Sequence, residues 1–366
     1  MHLARRNLLK DKTRMALSVA GVALAVMLIL VLNGLLDGLY RQITSYLDHS
    51  PASIVVAQED VENLLGSSSL LPTATAARVE SIRGVDQVVP ILSQFVILDL
   101  HDKKQPTYMI GYDPRQGGGP WELAAGREPR RKTDIVFDRV LAERHGLRIG
   151  DSVEVLGRDL TIVGLSNGTT SWMTSFIFVE KKEAENLLLS PGGTSFLLVT
   201  TSPGAKLDDI IPRVNRQSGV NAIAKPGMAA NDLKLFAKVF SAPLRLMVVI
   251  AFLVGTLVVG LVIYTMTVER QREYGVIKAI GATNAILYRV VLMQAMTAAL
   301  LGTSAGVLMA YGVSEWIMSA RPQFLIILAP RMIEWAFGAG LAMALISALV
   351  PARVVAQLAP AEVFRR

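Results

Sequence analysis

The sequence contains no cysteine, and only 18% of its 366 residues are charged, against about a quarter in an ordinary soluble domain. Without cysteine there can be no disulfide, so any folded part outside a membrane must rest on its own hydrophobic core. No G-x-x-x-x-G-K-[ST] run occurs, which excludes ATP binding in the manner of a Walker A loop. The four histidines, at positions 2, 49, 101 and 145, show neither i,i+4 nor H-E-x-x-H spacing, so the chain is expected to hold no metal and no cofactor of its own. The net charge of +7 gives no case for nucleic acid, because the excess sits beside apolar runs.

What the chain has instead is 52% hydrophobic residues, gathered into four uncharged runs at 15–36, 246–268, 290–314 and 335–352. About 20 apolar residues in a helix cross a hydrocarbon core of roughly 30 Å, so each run is expected to be a transmembrane helix. The first exceeds the apolar stretch of a cleavable signal and is followed by Asp-Gly-Leu-Tyr (37–40) rather than an A-x-A-like site, so it is read as a retained helix. No run has an ionisable residue at its centre, which argues against a proton or ion path through the bundle.

Basic residues orient the helices. The N-terminus (1–14), the connection 269–289 and the tail 353–366 together carry 12 basic and four acidic residues, whereas 37–244 carries 22 and 24. The positive-inside tendency places both termini and the 269–289 connection in the cytoplasm, and it places 37–245 and the short loop 315–334 outside. The expected protein is thus a multi-pass, α-helical membrane protein with both termini in the cytoplasm. A large mixed α/β extracytoplasmic domain is expected between its first two helices.

Within that domain, short β-prone runs alternate with helical ones. RVESIRGVDQVV (78–89) echoes RVNRQSGVNAIA (213–224), each a helix end, a glycine and a strand. The echo predicts one layered subdomain split between 37–116 and 201–227, with a block inserted at 121–200. In that block Asp138 is expected to cap a helix stopped by Gly146, and 152–156 and 159–165 to form a hairpin around Gly157-Arg158. Residues 228–245 repeat apolar positions at helical spacing and are expected to form a stalk leading to the second span.

Three short motifs have bland readings that win. GTSAG (302–306) fits a nucleophile elbow around Ser304, but it sits inside an apolar helix and equally fits G-x-x-x-G, so Gly302 and Gly306 are assigned to helix packing. Gly34, Gly38 and Gly255 join them on the same ground. GGG (117–119) lacks a following Lys-Ser/Thr and is read as a linker. Tyr40, Tyr46 and His49, just beyond the first span, mark a place where a lipophilic ligand or haem could be met; anchoring the helix end at the interface is the competing reading.

The connection between the second and third runs holds ERQREYGVIKAIGA (269–282). It resembles the E-R-x-R-E-[IVY]-G-x-[LI]-[KR]-A-[LI]-G-A signature of FtsX-like ABC transporter permeases, the MacB-containing group, with Tyr274 in place of the usual aliphatic residue. AAGREPR (124–130), DIVFDRVLAERHGLRIGDSVEV (134–155) and LTIVGL (160–165) are similar to that family's periplasmic core, and PARVVAQLAPAEVFRR (351–366) to its ending. A single outer domain without a fused ATPase is most like the DevC and HrtB branch. The resemblance implies a non-catalytic subunit whose ATP and magnesium are bound by two copies of a partner ATPase. Glu269, Arg270, Arg272, Glu273, Gly275, Lys278, Gly281 and Ala282 would form the coupling segment that seats in that partner. It further implies a dimer of this chain in contact with membrane lipid, mechanotransmission to the outer domain, and an accessory membrane-fusion or other extracytoplasmic protein. Export of a lipophilic or amphipathic cargo is the leading expectation. The alternative is an FtsX-like regulator that passes the motion to an extracytoplasmic enzyme such as a cell-wall hydrolase.

Overall fold

The computed structural model describes residues 12–100, 103–171 and 174–357. Of the features read from the sequence, Arg5, Arg6, Lys10, His2, His101 and the tail beyond 357 lie outside the described residues. The chain forms two compact units, one containing residues 39–239 with 322–325 and the other the remainder.

The second of these is a bundle of four long apolar helices: α1 (Lys12–His49), α6 (Lys225–Glu269), α8 (Asn284–Ala320) and α9 (Pro330–Gln357). Each contains a stretch long and apolar enough to cross a membrane. Leu24, Leu253, Leu257, Leu300 and Leu349 are exposed on the bundle, a surface that water would penalise and lipid would not. Its interior uses small residues, among them Ala295, Ala299, Ala310, Ala344 and Ala348 around Val22, Val26 and Val259. Without a hydrophobic drive between helices in lipid, such close packing supplies the contact energy. Ser347 adds a polar link, donating to the Thr256 carbonyl at 2.7 Å.

These helices overrun the predicted spans. The 45-residue α6 is about 68 Å long at 1.5 Å per residue, more than twice a hydrocarbon core. It therefore joins the stalk expected at 228–245 and the span expected at 246–268 into one element through Pro243. Similarly, α8 begins at Asn284 and ends at Ala320, shortening the expected loops on both sides.

The other unit is built on one ten-stranded sheet. In chain order its elements are β1 (Ile54–Gln58), α2 (Thr75–Glu80), β2 (Val85–Leu100), β3 (Lys103–Tyr112), β4 (Leu123–Gly126), β5 (Asp134–Asp138) and α3 (Arg139–His145). There follow β6 (Ser152–Val155), β7 (Arg158–Ser166), β8 (Ser175–Glu180), α4 (Lys181–Leu187), β9 (Phe196–Thr201), α5 (Leu207–Val214) and β10 (Val220–Ala224). One half orders its strands β10-β1-β9-β2, all antiparallel neighbours, and packs α2 and α5 over Ile54, Val56, Val88, Leu197 and Val199. The sequence echo maps onto this half: α2 and α5 are each followed by a left-handed glycine (Gly84 φ 100°, Gly219 φ 77°) and then β2 or β10. The arrangement is a split β-α-β pair.

The subdomain boundaries differ from those expected. β9 falls inside the 121–200 block by sequence, yet it pairs with β1 and β2 of the split half. β3, expected in the split half, pairs with β8 of the block. The cause is β2, which is continuous over 16 residues: it pairs with β9 through Ile91 and with β3 from Leu92 onward. Ser93 and Ser195 mark the change of partner, with the Ser195 hydroxyl accepting from Ser93 N at 3.0 Å and donating to Ser93 O at 3.1 Å.

In the inserted half, Asp138 caps α3 by accepting from Leu141 N at 2.8 Å, and Gly146 ends it in the left-handed region at φ 67°. The β6–β7 hairpin turns on Leu156-Gly157, one residue earlier than expected, because Val155 pairs with Arg158. Both turn residues have positive φ (50° and 79°), as a two-residue primed turn requires.

Candidate coupling segment and its surroundings

Between α6 and α8 the chain makes one short helix, α7 (Gln271–Ala279), set off from α6 by Arg270. Its sequence explains both ends. Arg270 and Glu273 are one turn apart and their charged groups approach to 3.8 Å. At the other end Gly281 adopts φ 100°, its N–H bonding to Lys278 O at 3.1 Å, while Ala282 N reaches back to Ile277 O at 3.2 Å. That pair of bonds is a Schellman stop, and the left-handed residue it needs is the glycine. Thr283 then leaves in extended conformation and α8 begins.

Two attachments hold α7 to the bundle. Tyr274, only 5% exposed, enters the same cluster as Val259, Ile263, Leu287 and Val291 and shares a hydrogen bond with the Gln294 side chain. Burial pushes its phenol above the ordinary value, so it remains a neutral hydrogen-bonding group. Gly275 is buried beside it. From the next turn Lys278 Nζ donates to Ala356 O at 2.7 Å, in the last turn of α9. A cation at a helix C-terminus is placed where the macrodipole favours it.

The opposite face is left in solvent. Glu269, Arg272, Glu273 and Gly281 are exposed, together with Val276 (45%) and Ile280 (80%), while Ala282 is half-buried. A charged pair beside two bare aliphatic side chains on a short, capped and doubly anchored helix is suited to seating in a complementary groove. Tyr274, Val276 and Ile280 are candidate residues that motif reading passed over, the first buried and the other two exposed. The motif stressed charges and glycines, whereas the anchor and the apolar contact residues emerge only from knowing which face is buried.

Of the small residues assigned to packing, Gly255, Gly302 and Gly306 lie at close helix approaches. A Cβ added at Gly302 would come within 2.6 Å of Val22 Cβ, and one at Gly306 within 2.7 Å of the Ala23 carbonyl. The GTSAG glycines thus face α1. Ser304 between them is exposed and donates back to Leu300 O at 2.9 Å. Gly34 faces the chain at Ile326–Leu328, Gly255 faces Ala25 and Met343, and Gly38 is buried within α1.

The three candidate cargo contacts separate. Tyr46 is 2% exposed, stacks on Phe176 at 5.9 Å and donates to Gly118 O at 2.7 Å. It is buried, and it lines a cavity of about 200 Å³ together with His49 and Trp121. Gly118, expected to be mere linker, serves as its acceptor, and Gly119 lies so close to the Tyr112 ring that a Cβ there would overlap it. Tyr40 is half-buried. His49 is exposed, but its ring lies flat on Trp121 (centroids 4.8 Å, interplanar 6°) and its Nδ1 donates to Ser45 O at 2.7 Å. Among the described residues no cluster of His, Cys, Asp or Glu could hold a metal ion.

Comparison with known proteins covers almost the whole chain. A family model described as MacB-like periplasmic core domain matches residues 15–217, and one described as FtsX-like permease C-terminal matches 245–360. An ABC transporter permease of Mycobacterium tuberculosis (strain ATCC 25618 / H37Rv) is 26% identical over 309 residues, 84% of each chain. A protein of Staphylococcus haemolyticus (strain JCSC1435), named as the hemin transport system permease protein HrtB, is 24% identical over 86% of this chain and 84% of its own. Among solved structures, the periplasmic region of MacB from Actinobacillus actinomycetemcomitans aligns with 50% of this chain and 94% of its own at 11% identity and a TM-score of 0.38. The extracellular domain of YknZ from Gram-positive bacteria aligns with 47% of this chain and 99% of its own at 12% identity and a TM-score of 0.37.

Proposed function

The chain belongs to the MacB/FtsX-type permeases of ABC transporters, and from that premise we propose that it couples ATP hydrolysis by a separate ATPase subunit to extrusion of a lipophilic or amphipathic cargo. The observation that carries the reading is α7, a capped helix held by Tyr274 and Lys278 and presenting Arg272, Glu273, Val276 and Ile280 outward. In this reading α7 faces the cytoplasm, as the charge distribution favours, and seats in a groove of the ATPase. Two copies of the chain pair with two ATPases. ATP-driven closure of the motor displaces α7, and the motion passes along the continuous helices α1 and α6 toward the extracytoplasmic domain. Cargo then need not cross between the spans, in keeping with their uncharged centres.

Several of the curated relatives carry the name of hemin transport permeases, so hemin is one cargo to assay, beside lipids, peptides and drugs. The test is ATP hydrolysis by the reconstituted complex. Glu273→Lys and Gly281→Pro are expected to abolish stimulated hydrolysis while the complex still assembles in the membrane. Normal coupling in both variants would remove α7 from the role assigned to it.

A further inference from the structure

We propose that a cavity of about 450 Å³ in the α/β unit binds the anionic head of an amphiphile, with Arg41 as its charge-reading residue. This deepens the reading of the chain as a permease for amphipathic cargo and rests on it.

The wall of the cavity begins on α1, where Arg41, Gln42, Ser45, Asp48 and His49 fall at helical spacing on one face. Arg41 is five residues beyond Leu36, the last residue of the predicted first span, or about 7 Å of helix rise. The facing walls come from the loop after β7 with the start of α3, and from the loop at Pro322 and Leu325. Gln42 holds that last loop to α1 by donating to Gln323 O at 3.0 Å. Val140, Pro322 and Leu325 make part of the lining apolar.

The charged groups are not equivalent. Arg139 is engaged by Glu143 at 3.0 Å and by Asn167 Oδ1 at 3.3 Å. Asp48 accepts the Thr44 hydroxyl at 2.6 Å. His49 is fixed through Nδ1 and by its stack on Trp121, so its ring closes one side of the cavity. Beyond that ring lies a second, smaller cavity of about 200 Å³ that His49 and Trp121 also line. Among the described residues Arg41 alone of the cavity's charged groups makes neither an ion pair nor a hydrogen bond. A guanidinium left without a counter-ion beside apolar side chains, close along the helix to a membrane span, fits a carboxylate or phosphate attached to an acyl or polycyclic body. A zwitterionic head gains no such net attraction.

Trp121 gives the readout. Replacing Trp172, Trp316 and Trp335 by Phe leaves it as the sole tryptophan of the four. The full chain in phosphatidylcholine nanodiscs is titrated with oleate, with lysophosphatidate and with lysophosphatidylcholine. At least one of the two anionic probes is expected to change Trp121 emission saturably and at least tenfold more tightly than lysophosphatidylcholine. Which of them does so separates a carboxylate from a phosphate head. Arg41→Gln is expected to weaken that binding at least tenfold, and Arg41→Lys to restore part of it. No saturable change with either anion, equal binding of the zwitterion, or indifference to Arg41→Gln would each overturn the proposal. The coupling variants of α7 are scored by ATP hydrolysis alone, so failure of the cavity and failure of the permease reading give different results.

Discussion

Lys278 Nζ lies 2.7 Å from the carbonyl oxygen of Ala356, joining α7 to the final turn of α9. The contact links two elements far apart in sequence. Under the proposed coupling role, a displacement applied to α7 would reach α9 as well as its chain neighbours α6 and α8. Lys278→Met keeps the aliphatic stem and removes the donor. It is expected to lower stimulated ATP hydrolysis severalfold while binding of the ATPase, measured by co-purification, changes little. Unaltered stimulation would show that the attachment to α9 carries no load.

Tyr274 should behave as a packing anchor first and a hydrogen-bonding group second. Tyr274→Ala is expected to cost about 3–5 kcal/mol, the range for removing a large buried side chain. Tyr274→Phe should cost about 1 kcal/mol for the bond to Gln294. Tyr274→Ile, the aliphatic type usual in the family signature, should fall between them. Thermal unfolding in detergent followed by tryptophan emission ranks the three, and a Phe variant as damaged as the Ala variant would contradict this order.

Gly302→Val and Gly306→Val are expected to prevent correct folding of the bundle, because the added side chains meet Val22 and the Ala23 carbonyl at under 3 Å. Ser304→Ala, on the exposed side of the same helix, is expected to leave assembly and ATP hydrolysis within twofold of the parent. Size-exclusion profiles separate the two classes. Loss of activity in Ser304→Ala alone would revive a nucleophile role for the GTSAG serine.

Asp232 is expected to make the start of α6 sensitive to pH. It sits 14 residues before the second predicted span, is fully buried, and accepts Leu65 N at 3.0 Å, tying the start of α6 to the 63–65 loop. Burial raises its carboxyl to about 7, against the backbone bonds from Leu65 and Leu64 and the Asn63 side chain that favour the charged form. Tyr108 faces it but is itself neutral, its hydroxyl donating to Leu64 O at 2.8 Å. Because the folded value lies above the unfolded one, the folded unit holds the extra proton between about pH 4 and 7. Stability therefore falls as pH rises through that window and levels off above 7, a swing on the order of 4 kcal/mol. Hydrogen exchange at 63–66, corrected for intrinsic rates, should be slower at pH 5.5 than at pH 8. Asp232→Asn should flatten the difference, and a wild-type chain without one would sink the assignment.

Much of this could be read before any coordinates. Apolar run length located the four spans, because a helix must satisfy its own backbone in lipid and so needs about 20 apolar residues in a row. Local chemistry placed Asp138 and Gly146 at the ends of α3 and Gly281 at the end of α7, since caps and left-handed stops are decided within a few residues. The ERQREYGVIKAIGA run pointed to the family by pattern alone, and it lies inside the stretch 245–360 that matches the FtsX-like permease C-terminal model.

Tertiary structure decided what depends on partners distant in the chain. β2 reads as two strands because Ser93 and Gln94 interrupt its apolar pattern, yet hydrogen bonding to β9 and then to β3 keeps it continuous and merges the two halves into one sheet. Tyr46 resembles an interfacial anchor by its distance from the span, but the sheet takes it as core. Tyr274 looks like a tolerated exception to a motif, and burial against α6 and α8 makes it the residue that fixes the helix. Sequence determines what each segment can form locally, whereas long-range packing selects which side chains are spent on stability and which remain free to meet a partner.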